Sequence, residues 1–211
     1  MLARILKIIE LVILFIGVPL LYIFDYLPPQ VILILIPIML WCLFVLLRDK
    51  SFDRKRLWNA AKLKSNIKPI LIRFAFGAVI LAVFVLIFKP SLIFNLIRQR
   101  AFIWLMIMIL YPVLSVYPQE LIYRTFFFHR YKDIFPNKTV MIIVNAIAFG
   151  YMHIIFENPI AVILTLIGGY LFATTYDKTH STLAASLEHA LFGDLIFTIG
   201  LGWYFYHGAV K

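Results

Sequence analysis

The chain is expected to fold as an all-α, polytopic bundle of about seven to eight transmembrane helices. Three observations predict this. Apolar residues make up 64% of the 211 positions and charged residues only 14%, too little polar surface for a water-soluble domain of this size. Apolar runs of roughly 17 to 25 residues, each able to cross about 30 Å of hydrocarbon as a helix, recur along the whole length. Backbone amides cannot go unpaired in lipid, so such runs must be helices packed against one another.

Taken in order, the runs read Ile8 to Phe24, Val31 to Leu47, Ile70 to Phe88, Phe102 to Val116, Met141 to Phe156, Ile160 to Tyr176 and Leu183 to Tyr206, with an ambiguous stretch from Gln119 to Tyr131. The first begins after Arg4 and Lys7 like a secretory signal. Glu10 interrupts it, however, and Pro28-Pro29 stands where a small-residue cleavage site belongs, so it reads as a retained anchor. No repeat or low-complexity tract divides the chain, and a single integral membrane domain over 1–211 is expected, with a motif-bearing core at about 101–207.

The net charge of +10 does not imply nucleic acid, because of where the cations sit. Eight of the twenty Lys and Arg residues lie between Arg48 and Lys68, after the second run. A basic connection of this kind marks the cytoplasmic side and a contact with anionic lipid. The distribution predicts a cytoplasmic N-terminus and a multi-pass protein of an inner or plasma membrane. Cys42, the lone cysteine, reads as a small packing residue. Gly168-Gly169 with Ala173 reads as a small-residue face for helix packing, and Trp203 to His207 as an interfacial aromatic belt.

Ionisable residues inside membrane spans are costly and therefore informative. Three clusters contain them. In Gln119-Glu120-Leu121-Ile122-Tyr123-Arg124, the acid and the base are four apart and share a helix face, where an internal ion pair lets both be tolerated. In the segment from Asn145 to His153, Asn145, Phe149 and His153 fall at i, i+4 and i+8 on one stripe. The third, Ser186-Leu187-Glu188-His189-Ala190-Leu191-Phe192-Gly193-Asp194, puts two acids and a histidine in one apolar helix. A carboxylate, two imidazoles and hydrogen-bond donors on three helices are the equipment for activating water and stabilising an oxyanion.

In this order, Glu-x-x-x-Arg, Phe-x-x-x-His and Ser-x-x-His in successive helices resemble the CAAX protease and bacteriocin-processing (Abi) family of intramembrane endopeptidases, over about Gln119 to Asp194. The resemblance implies a glutamic-type, prokaryotic intramembrane protease, in which Glu120 and His153 activate water while His189 and a neighbour hold the oxyanion. Arg124, Gln119 and Asp194 complete the implied site. Two positions depart from the family pattern. The first Glu of its Glu-Glu pair is Gln119 here, and its Asn or Asp four residues after the last His is Gly193, with Asp194 one position later. The implied substrate is a membrane-anchored protein or peptide, or a C-terminal tag.

No cofactor is expected. The sequence has no His-Glu-x-x-His helix, and a divalent metal, if used, would fall to Glu120, His153 and His189. Two non-enzymatic alternatives remain at this point: an inactive immunity or scaffold-type member of the family, favoured by Gln119, and a proton-coupled transporter that uses the same acids and histidines as a relay. Straight helices with these boundaries put Glu120 near the inner surface, His189 about 12 Å deep and His153 deeper still, so the three would not meet unless Pro112 and Pro118 break the fourth run and let the next helix tilt or re-enter.

Overall fold

The computed structural model describes residues 2–205, all of its regular structure is helical, and no strand occurs among the described residues. Among the described residues, six helices are long and apolar enough to cross a membrane: α1 (Arg4–Ile23), α2 (Val31–Arg48), α3 (Ala60–Phe88), α4 (Pro90–Arg130), α5 (Lys138–Phe156) and α6 (Pro159–Thr179). A seventh helix, α7 (Thr182–Thr198), is shorter and carries Glu188, His189 and Asp194. The expected end of the last run at Tyr206, and His207 of the aromatic belt, lie outside the described residues; helix α7 ends earlier, followed by a 3-10 turn at Leu201–Phe205.

Several helix starts are set by side chains that accept a hydrogen bond from the first turn. Asn59 accepts from the Lys62 amide, Asn137 from Val140, Asn158 from Ala161 and Ser181 from Ala184. Each satisfies a backbone donor that has no partner within its helix. The Ser181 hydroxyl also donates to the carbonyl of Asn59, so the starts of α3 and α7 are tied together.

Large apolar side chains such as Leu33, Phe76, Ile80, Phe102 and Ile167 are exposed on the outside of the bundle. On a soluble protein such a surface would drive aggregation, and around a helical bundle it is a lipid-facing belt. The chain is a multi-pass integral membrane protein.

The core lies between α1, α2 and the inner half of α4, with α5 and α6 behind it. Phe15 of α1 meets Tyr123 and Phe127 of α4 edge to face, and Tyr123 meets Phe149 of α5 in the same way. Glu10, which interrupts the apolar character of α1, has a structural explanation. It accepts two hydrogen bonds from Arg130 at 2.9 and 3.0 Å and a third from the Tyr131 hydroxyl, which pins α1 to the end of α4. Behind this core, Gly169 lets α6 approach the backbone of α5. A methyl group there would sit 3.1 Å from the Ala146 carbonyl oxygen. This is the small-residue packing face expected from Gly169 and Ala173, which is itself fully buried.

Helix α4 is where expectation and structure part. Pro112 and Pro118 do not break it, and Gln119 to Tyr131 is not a re-entrant piece. The chain stays helical from Asn95 to Arg130, with non-helical backbone angles only at Arg100. Two π-helical segments, Pro112–Val116 and Leu121–Phe126, absorb the misfit around the prolines. Glu120 therefore lies ten residues, about 15 Å, from the end of its helix at Arg130. That depth is what lets it meet His189.

Candidate active site

Glu120 and Arg124 are both fully buried. The Arg124 Nε lies 3.2 Å from one Glu120 oxygen, the pair expected from their spacing. Two unlike charges in a low-dielectric interior are tolerated only when further contacts hold them. The Arg124 Nη1 donates to Asn145 Oδ1 at 3.0 Å, and Asn145 in turn donates to the Tyr123 carbonyl. The guanidinium also lies over the ring of Phe149, 4.6 Å from its centroid, with Phe172 at 5.7 Å.

The other Glu120 oxygen accepts from Nδ1 of His189, 2.9 Å away on α7. The His189 ring stacks on Phe172 with centroids 4.6 Å apart and meets Phe149 edge-on. On its far side, Nε2 lies 3.2 Å from the hydroxyl of Tyr111. Glu120, His189 and Tyr111 thus form one hydrogen-bonded chain between α4 and α7.

His153 stands apart from that chain. It lies at the end of α5, and its Nδ1 is 2.7 Å from the carbonyl oxygen of Phe149. A carbonyl can only accept, so Nδ1 carries the proton and Nε2 keeps its lone pair. The Asn145, Phe149, His153 stripe is therefore divided in function. Asn145 holds Arg124, the Phe149 ring lies against the Arg124 guanidinium, and the Phe149 carbonyl fixes the His153 tautomer.

A cavity of about 390 Å³ adjoins these groups. Its lining includes the polar side chains of Tyr111, Ser115, Gln119 and His153 and apolar ones such as Met152 and Phe197. Neither Glu120 nor His189 lines it. Of the expected pair Glu120 and His153, only His153 lines the cavity, and Glu120 lies behind it against Arg124 and His189. Consecutive residues on a helix point about 100° apart, so when Glu120 turns inward to Arg124, Gln119 is the one that faces the cavity. There Gln119 donates to the Ser115 hydroxyl at 2.8 Å.

Gly193 explains the second departure from the family pattern. A Cβ at this position would overlap the ring and hydroxyl of Tyr111. Tyr111 fills the place where a longer side chain at 193 would project, and it carries its own hydroxyl to His189. Asp194, one residue on, lies off the cavity lining, with one buried carboxylate oxygen that has no hydrogen-bond partner among the described residues.

Sequence reasoning missed two residues. Tyr111 looked like one more aromatic in an apolar run. Arg73, a cation inside the apolar run of α3, lies 3.0 Å from Glu188 and donates to Thr175, which donates to the same carboxylate. This second ion pair, in which only Glu188 is fully buried, links α3, α6 and α7 and accounts for an acid of the third cluster. The cost of a lone arginine at that depth was the signal that could have found it.

Residues 98–193 match the family model described as Type II CAAX prenyl endopeptidase Rce1-like. The matched segment runs from α4 into α7 and contains Tyr111, Gln119, Glu120, Arg124, His153 and His189. No curated protein and no solved structure matches the chain.

Proposed function

We propose, from the premise that residues 98–193 belong with the Rce1-like type II CAAX prenyl endopeptidases, that this chain is an intramembrane endopeptidase cleaving a membrane-associated protein or its C-terminal tag. The observation that carries the reading is the chain of Glu120, His189 and Tyr111 ending on a cavity that His153 also lines.

In the proposed reaction, a water in the cavity attacks the scissile carbonyl carbon. His153 Nε2 takes the water proton, and the carbonyl π pair moves onto oxygen. The Tyr111 O–H donates to that oxyanion. Behind it, Glu120 holds His189 through Nδ1–H, and a protonated His189 donates from Nε2 to the Tyr111 oxygen, leaving the phenolic proton free for the cavity. Collapse of the intermediate breaks the C–N bond, and His153 returns its proton to the leaving amine. Glu120 acts through His189 in this scheme and is not the base. Arg124 and Asn145 position Glu120, while Asp194 has no role.

The chemistry is proposed as metal-free. Both nitrogens of His189 and both oxygens of Glu120 already face partners, one of them the Arg124 cation, so Glu120, His153 and His189 do not fit a shared divalent ion. No step runs through one.

Cleavage of candidate membrane substrates, scored beside protein abundance, tests this. His153→Ala should abolish cleavage at normal abundance. Tyr111→Phe should lower it about 100- to 1000-fold, the usual effect of removing one oxyanion donor. Normal cleavage by either variant would sink the mechanism. A second reading, an inactive member of the family, is favoured by Gln119, which puts an amide on the cavity wall where the family has a carboxylate. That reading requires no turnover by the wild-type chain on any substrate.

A further inference from the structure

The cavity has a direction. It runs from Tyr123 and Gln119, within the span of α4, to Gln30 and Val31 at the start of α2, Phe156 at the end of α5 and Phe205 beyond α7. These last four positions all lie at one end of the bundle, the end reached by α1, α3, α5 and α7 as the chain leaves its N-terminal side. The basic connection from Arg48 to Arg56 lies at the other end, as do Lys132 and Lys178. A cluster of Lys and Arg after a span stays on the cytoplasmic side. The cavity mouth then faces the opposite aqueous compartment.

The lining also constrains what can enter. Among the described residues, no Lys or Arg lines the cavity, so it offers no permanent cation to pair with the carboxylate of a chain terminus. Most of its lining is apolar or aromatic, including Leu35, Met152, Phe156, Ile196, Phe197 and Phe205, while Ser115 and Gln119 contribute polar groups from within the span of α4. Such a lining suits an extended apolar stretch whose backbone reaches the polar groups.

We infer that the site accepts an internal apolar segment of a membrane-anchored protein, presented from the face of the membrane opposite the basic connection. The inference rests on the endopeptidase reading above. It assigns the substrate to the extracytoplasmic side, and it predicts cleavage within a chain, beside an anchor, with no trimming from a free end.

The test has two arms. In a Cys42→Ala background, single substitutions Gln30→Cys and Phe156→Cys mark the mouth, and Lys50→Cys marks the basic connection. A membrane-impermeant maleimide applied to intact cells should label the first two, and Lys50→Cys only after lysis. The reverse pattern overturns the inference. In the second arm, a shared library of apolar segments is placed beside the anchor of a reporter, on one face of the membrane or the other, with His153→Ala as the inactive control. Cleavage only of reporters presented on the face where Gln30→Cys is labelled is the expected result. Cleavage only on the Lys50 face overturns the inference but not the protease. No cleavage on either face, with labelling as expected, overturns the protease reading and the substrate assignment with it, while the orientation of the cavity stands.

Discussion

Glu120 is the residue at which sequence and structure give different chemistry. Its neighbour Gln119, and not Glu120, shares the cavity wall with His153. The amide can orient a water but cannot take its proton, so in the proposed mechanism the base is the His153 imidazole, whose one hydrogen bond among the described residues is to a backbone carbonyl. A carboxylate at 119 would strengthen that base. Gln119→Glu is therefore expected to raise kcat severalfold or more and to leave thermal stability little changed, since the side chain is only partly buried. A variant that folds normally but cleaves no faster would show that the water is not held between 119 and 153. Arg124 makes the complementary case. Arg124→Met leaves Glu120 buried beside His189 with its strongest counter-charge gone, and removing one partner of a buried pair costs about 3–5 kcal/mol. A large drop in thermal unfolding temperature should accompany loss of activity. By contrast, a variant that unfolds like the wild type would mean that Glu120 takes up a proton instead.

Among the elements, α4 carries most of what could not be read in advance. The apolar runs, the basic connection and the Glu120 to Arg124 spacing were legible because each depends on residues near in sequence. The length of α4 was not. Pro112 and Pro118 look like breaks, and only the packing of neighbouring helices lets π-helical turns absorb them. With that boundary wrong, Glu120 seemed too shallow to reach His189. Tyr111 was hidden for a related reason: its partner is 78 residues away on α7, and no local pattern reports that contact. The two helices also share the Gly193 contact, which gives a test. Gly193→Asn should displace the Tyr111 ring, lowering both stability and cleavage. Adding Tyr111→Ala should relieve the overlap and place an amide near His189, so the double variant should cleave better than Tyr111→Ala alone. If it does not, the ring and the family's longer side chain are not filling one place.

At the scale of the whole molecule, the belt of exposed apolar side chains marks the lipid-facing surface, and the basic connection gathers charge at one end of the bundle. Two devices tie the basic end together. Arg130 and Tyr131 hold Glu10 of α1, and His129 lies 2.8 Å from Asp49, just past α2. The hydrogen bonds from His129 and Ser51 hold the Asp49 carboxyl well below the usual carboxylate range. A lowered folded value means that its contribution is present at neutral pH and is lost only in strong acid, so this clasp stays closed under ordinary conditions. Arg48 lies over the Phe44 ring and Arg54 donates to the Leu47 carbonyl, so the lysines of the 48–68 region are the cations proposed to meet lipid headgroups. Each Lys or Arg near an anionic surface adds about 1 kcal/mol of attraction, within a Debye length of about 10 Å at 0.1 M salt. Lys50, Lys55, Lys62 and Lys64 are all exposed. In bilayer discs, raising the fraction of anionic lipid should raise the unfolding temperature of the wild-type protein, and added salt should diminish the gain. Replacing these four lysines by serine should remove most of it. An unfolding temperature indifferent to lipid charge in both proteins would leave the basic connection as a marker of orientation alone, with no lipid bound to it.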